Sequence, residues 1–148
     1  MATLLLACSK KNENQPACQP LKVSMVVNGD LQTFEVLGYG IDLTSKGHVL
    51  HLNLDRREYT PLREQTVFMT LPYKKTGKNV IDEFFYRQYI NKVTFQGSFL
   101  EGEFESNVVT NNKYCIYATF SGKLSDGNQE VIITDGVVSY SYDTPFEN

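Results

Sequence analysis

The chain holds 148 residues, the size of one domain. With 41% hydrophobic and 21% charged residues it has the make-up of an ordinary globular protein. A net charge of −3 weighs against nucleic acid as a partner, because that partner calls for a basic face able to displace counterions. Nine Tyr, nine Phe and no Trp, beside frequent Val, Ile and Thr, make a strand-forming composition.

The first eight residues are apolar up to Cys8, and residues 9–16 contain no hydrophobic side chain. A membrane-spanning helix needs about 20 apolar residues, so this stretch is too short to be one. It reads instead as the end of a secretory signal, with the small Ala7 at the cleavage position. Leu5-Leu6-Ala7-Cys8 resembles the lipobox of bacterial lipoproteins. That resemblance implies cleavage before Cys8, a lipid carried by Cys8 as the acylated N-terminus, and a membrane anchor in the cell envelope, expected at the outer membrane. Several acyl chains on one residue suffice for stable anchoring, whereas a single chain is marginal. No basic segment precedes the apolar run, so residues 1–7 read as a truncated signal peptide. Residues 8–20 then form a lipid-anchored flexible tether: beyond Cys8 they hold no aromatic or β-branched residue, and two prolines.

A single β domain is expected over residues 21–148. Residues 22–27 alternate in polarity, Asn28-Gly29 has the residues of a type I′ turn, and 31–36 return. In 48–54 the side chains of Leu50, Leu52 and Leu54 share one face, and in 65–71 Val67, Met69 and Leu71 are in phase. Residues 72–78 are a loop whose Lys74, Lys75 and Lys78 suit anionic headgroups or an acidic partner, or simply solvent. The spacing of Ile81, Phe84, Phe85 and Tyr89 predicts one short helix over 80–89, with Asn79 as its cap.

Strands resume at 92–95, 98–107, 113–124, 130–134 and 137–142. Asp126-Gly127 and Asp135-Gly136 are read as hairpin turns. Glycine precedes an inward apolar residue at Gly97, Gly102 and Gly122, which fits strand bends or bulges. About nine short strands with such turns predict an all-β fold, an antiparallel β-sandwich or barrel-like sheet.

Residues 90–142 resemble small lipoproteins of Bacteroidota-type bacteria. The likeness is carried by Phe95-Gln96-Gly97-Ser98-Phe99, a glycine–phenylalanine strand pair, and by Ile133-Thr134-Asp135-Gly136-Val137, an I-T-[DN]-G hairpin. It implies a sandwich or barrel-like lipoprotein, and its motifs describe turns rather than chemistry.

With Cys8 given to lipid, Cys18 and Cys115 remain. An exported protein meets an oxidising compartment, where an even remainder points to pairing. Tyr114, Ile116, Ala118 and Phe120 take the core phase, which puts Cys115 on the other face, within reach of a flanking segment. Two unpaired thiols are the alternative. His48 and His51 lie three apart, so in a strand they point to opposite faces and share no metal. Glu101, Glu103 and Glu105 alternate along one strand and are candidates for a weak cation site; Glu101 and Glu103 are also candidates for a glycosidase-like pair. A plain polar face explains them equally well. No G-x-S-x-G elbow, phosphate-binding glycine loop or EF-hand pattern occurs. The expectation is therefore a non-enzymatic envelope lipoprotein without cofactor, whose β domain binds a protein or glycan partner. A structural accessory subunit of an envelope complex is the alternative, followed by an enzyme acting on envelope polymers.

Overall fold

A computed structural model describes residues 18–147; Cys8, the signal remnant and the tether up to residue 17 lie outside the described residues. The chain forms ten strands: β1 (Lys22–Val27), β2 (Asp30–Thr33), β3 (Glu35–Thr44), β4 (Gly47–Tyr59), β5 (Leu62–Pro72), β6 (Gly77–Lys78), β7 (Glu83–Ile90), β8 (Lys92–Asn111), β9 (Cys115–Ser125) and β10 (Glu130–Ser141). They make one antiparallel sheet in the order β2-β1-β10-β9-β8-β7-β5-β4-β3, with β6 added beside β8, curved into a half-barrel. From β3 onward the path is a meander of neighbouring strands, and the β1–β2 hairpin attaches to β10.

The sheet curls because its two ends are tied by one residue. β2 and β3 are the outermost strands of the order, yet only Phe34 separates them in the chain. Thr33 and Glu35 can then be no more than about 7 Å apart at their Cα atoms, so the edges meet at this corner. Phe34 is buried there, and its N–H donates to Val23 O at 2.8 Å. Gln32 on β2 accepts from Tyr86 Oη on β7 at 3.3 Å, a contact across the inside of the half-barrel.

Strand alternation fills that inside. Leu50, Leu52 and Leu54 of β4 and Val67, Met69 and Leu71 of β5 are all buried, in the phase read from sequence. Ile116, Ala118 and Phe120 of β9, Val138 of β10 and Tyr142 just after it do the same. Each such aliphatic side chain contributes about 1.5–3 kcal/mol by leaving water. Asn28 and Gly29 both have positive φ (48° and 84°), as the predicted type I′ turn requires.

Three expectations are corrected. The helix over 80–89 does not form: among the described residues there is no helix, and Glu83–Ile90 is strand β7. Phe84 and Tyr86 point into the core while Arg87 points out, and the strand is laddered to β5 on one side and β8 on the other. Residues 84, 86 and 88 alternate as well as 81, 84, 85 and 89 repeat, and aromatic side chains between two ladders favour the strand. Asn79 has φ 55° and caps nothing; its Oδ1 accepts from Ser106 N at 3.1 Å.

The second correction concerns Asp135-Gly136, which is not a hairpin turn. β10 runs straight through it, and the register to β9 slips between Ile133↔Gly122 and Gly136↔Phe120. Asp135 takes φ 49° and the extra residue makes a bulge, a use of an Asp-Gly pair that local sequence does not distinguish from a turn. Thirdly, 92–95 and 98–107 are one long strand, β8. Its ladder to β9 skips between Phe99↔Leu124 and Phe104↔Gly122, leaving residues 100–103 as a wide bulge around Gly102 (φ 78°). Gly122 lies beneath it, where a Cβ would come 2.3 Å from Glu103 O.

Candidate functional site

Cys18 and Cys115 form a disulfide across a sequence separation of 97. Cys115 opens β9 and is buried, and Ser139 Oγ donates to Gln19 O at 3.3 Å beside it. The end of the tether is thereby fastened to the sheet.

The bulge in β10 shapes a depression on the outer face, a groove of about 660 Å³. In the β8–β9–β10 ladder, Asn107 lies opposite Thr119, Thr119 opposite Val137, and Glu105 opposite Ser121. These outward side chains line the groove, with Asp135 of the bulge, Lys22 of β1 and Lys78 of β6. β6 is held in place by the two Asn79 bonds to Ser106, of which the N–H to Ser106 O is 2.8 Å. The walls supply hydroxyls, an amide, carboxylates of Glu105 and Asp135, and two ammonium groups. Such a set can hold a polar ligand through hydrogen bonds.

A second outer feature is apolar. Asn53, Phe68, Phe85 and Ser98 stand in one row across β4, β5, β7 and β8, with exposed Leu37 beside them. Two shallow depressions of about 430 and 360 Å³ share Phe68 and Phe85.

The predicted acidic trio is split. Glu105 lines the polar groove, while Glu101 and Glu103 ride the β8 bulge, and all three are exposed. Lys123 Nζ lies 3.5 Å from Glu103 Oε1. Among the described residues no three His, Cys, Asp or Glu side chains gather to hold a metal ion. His48 is exposed, and His51 Nδ1 sits 3.0 Å from Asp42 Oδ2 on the outer face. The His51 ring lies over Gly40, where a Cβ would approach it to 2.9 Å.

Inside, Tyr86 is pushed up to about 12 by burial, with the Gln32 hydrogen bond acting the other way. Burial also raises Tyr142, which packs against Tyr39, Tyr140 and Phe146 at ring distances of 4.6–6.0 Å. Both phenols therefore stay protonated near neutrality and serve the core. The polar groove was missed in the sequence reading. Asn107, Thr119 and Ser121 could be read as outward, but only the β8–β9–β10 register makes them neighbours.

No protein family model, no curated protein and no solved structure matches the chain.

Proposed function

We propose that the chain is a lipid-anchored envelope protein whose half-barrel is a non-enzymatic binding module for a polar partner, a glycan or a protein. The observation that carries this reading is the groove on the outer face, where Asn107, Thr119, Ser121 and Glu105 project from two laddered strands. A rigid sheet presents such groups with little ordering cost on binding. The Cys18–Cys115 bond adds support for an extracytoplasmic place, since disulfides persist in oxidising compartments. The lipobox at Cys8 supplies the anchor.

Envelope glycans and peptidoglycan fragments, titrated into the purified chain, test the groove. Binding that falls about tenfold in Asn107→Ala and Thr119→Val supports it, each lost hydrogen bond being worth roughly 0.5–1.5 kcal/mol. Binding unmoved by both variants removes the groove from the reading. Cell fractionation tests the anchor: Cys8→Ala should move the protein out of the membrane fraction and abolish incorporation of labelled palmitate.

The apolar row supports a second reading, an accessory subunit docked through Leu37, Phe68 and Phe85. Leu37 is 73% exposed, which is unusual for a leucine beside two phenylalanines unless something covers them. A stoichiometric complex from solubilised membranes that dissociates in Phe68→Asp would favour this reading over the first.

A further inference from the structure

We propose, building on the lipid-anchor reading above, that one end of the half-barrel is a platform for anionic lipid headgroups and seats the domain on its membrane in a fixed orientation. In an antiparallel meander every second connection returns to the same end of the sheet. Here that end gathers the β3–β4 turn at 45–46, the loop 73–76 after β5, the β8–β9 turn at 112–114, the segment 18–21 ahead of β1, and the C-terminal stretch from Tyr142. Hydrogen bonds join them into one surface. Tyr73 N donates to His48 O at 2.9 Å, and Phe146 N donates to Lys113 O at 2.9 Å. Asn111 Nδ2 donates to Pro72 O and to Lys75 O, both at 2.9 Å. Cys18 is bonded into the same surface through Cys115.

This surface is basic in a chain that is acidic as a whole. Lys46, Lys74, Lys75 and Lys113 are exposed on its loops, against Asp143 and Glu147. The next acids, Asp42, Asp82 and Glu83, lie about two rungs back from the rim, and Asp42 and Glu83 are engaged with His51 and Thr70. The opposite end carries Asp30, Asp126 and Glu130 beside Lys92 and Arg63, and its Arg56 and Arg57 are paired with Glu58 and Glu64. Two of the platform lysines lie over tyrosine rings: Lys74 Nζ is 5.4 Å from the Tyr73 centroid, and Lys113 Nζ is 5.1 Å from that of Tyr114. Tyrosine at headgroup depth with an ammonium reaching the phosphates is the pairing that bilayer interfaces favour.

The tether selects the occupant. Cys8 and Cys18 are ten positions apart, so an acylated Cys8 stays within about 35 Å of this end, and Lys10 and Lys11 between them, against Glu13, leave that stretch with the same sign. A tethered surface is present at high effective concentration at the end it is tied to. Anionic headgroups therefore meet the lysines before any free acidic partner does. The outer groove and the acidic end are then held away from the bilayer.

The test uses the full chain carrying Cys8→Ala, sedimented with vesicles of phosphatidylcholine alone or mixed with phosphatidylglycerol. Without acylation, binding reports the platform only, and the fractionation experiment reports the anchor separately. Preferential binding to the anionic vesicles, weakened between about 0.1 and 0.5 M salt, is expected. Each lysine near an anionic surface is worth about fivefold in binding, so Lys74→Gln with Lys75→Gln and Lys113→Gln should lose on the order of 100-fold. Lys92→Gln with Lys123→Gln, away from this end, should change binding less than twofold. Equal binding to both vesicle types overturns the proposal, as does an equal loss in the control pair.

Discussion

Asp55 stands on β4 opposite Glu35 on one side and Thr66 on the other, half-buried, with Oδ1 shielded from solvent. Burial raises its carboxyl pKa above the ordinary 3.8; Glu64 and Glu35 push the same way, while Arg57 and a backbone bond at Arg56 oppose them. The folded state thus holds this proton more tightly than the unfolded chain does. Ionised Asp55 costs stability at every pH above its raised pKa, and the cost is relieved as pH falls through that value toward 3.8. Asp55→Asn keeps the shape and cannot ionise. It should stabilise the protein at pH 7 by up to about 1 kcal/mol, a modest figure because the group is partly solvated. The gain should vanish near pH 3.5. Urea unfolding at the two pH values measures it, and a loss at pH 7 would mean that Arg57 outweighs burial.

At the scale of elements, the junction between β2 and β3 matters most, because one residue there joins the two ends of the sheet. Phe34→Ala should cost about 3–5 kcal/mol, the usual penalty for emptying a buried phenylalanine site. Its signature is regional: among the described residues β3 has only β4 as a ladder partner, so amide exchange should quicken in β3 well before it does in β9. Uniform acceleration would show that Phe34 acts as general core filling rather than as the closure. Sequence reading could locate the strands of this region but not the closure, since residues 31–36 look like one strand until the corner is seen. The legible elements were those whose faces differ sharply in polarity, β4, β5 and β9, where every second side chain is apolar. β7 was misread because aromatic residues occupy both of its faces, so period 2 and period 3.6 fit equally. The β10 bulge was misread because Asp-Gly accommodates positive φ in turns and bulges alike. Of the candidate site, Cys18 with Cys115 was readable from count and phase, whereas the groove depends on register across three strands. Register is fixed by distant pairings, which local pattern does not encode.

For the molecule as a whole, the disulfide serves stability and the platform lysines serve orientation. Most of the core, from β1 to β8, lies inside the loop that Cys18 and Cys115 close, so the bond limits the unfolded chain over 97 residues of separation. On the loop-entropy model this is worth at most about 4–5 kcal/mol. For a domain of this size each kcal/mol moves the midpoint by roughly 3–5 °C. Cys18→Ala with Cys115→Ala should therefore unfold up to about 15–20 °C earlier, with the half-barrel intact below that point, since the hydrophobic core cluster contains neither cysteine. Reductant should lower the wild-type midpoint towards that of the double variant and leave the double variant unmoved. Thiol reagent applied to denatured, unreduced protein should leave both Cys18 and Cys115 unmodified; two reactive thiols at these positions would remove the staple. The same bond pins Cys18 to the platform end, the end from which the chain enters β1. Freed of it, the anchor would leave from the chain at Pro20 and Leu21, ahead of β1, on a longer and looser leash. The vesicle-bound double variant keeps the platform lysines and should keep the orientation, whereas Lys74→Gln with Lys75→Gln and Lys113→Gln should lose it. Site-specific quenching by lipid-borne quenchers reads this directly: a label at Asn128, on the far loop between β9 and β10, should escape quenching in the wild type and in the double cysteine variant and be quenched in the triple lysine variant.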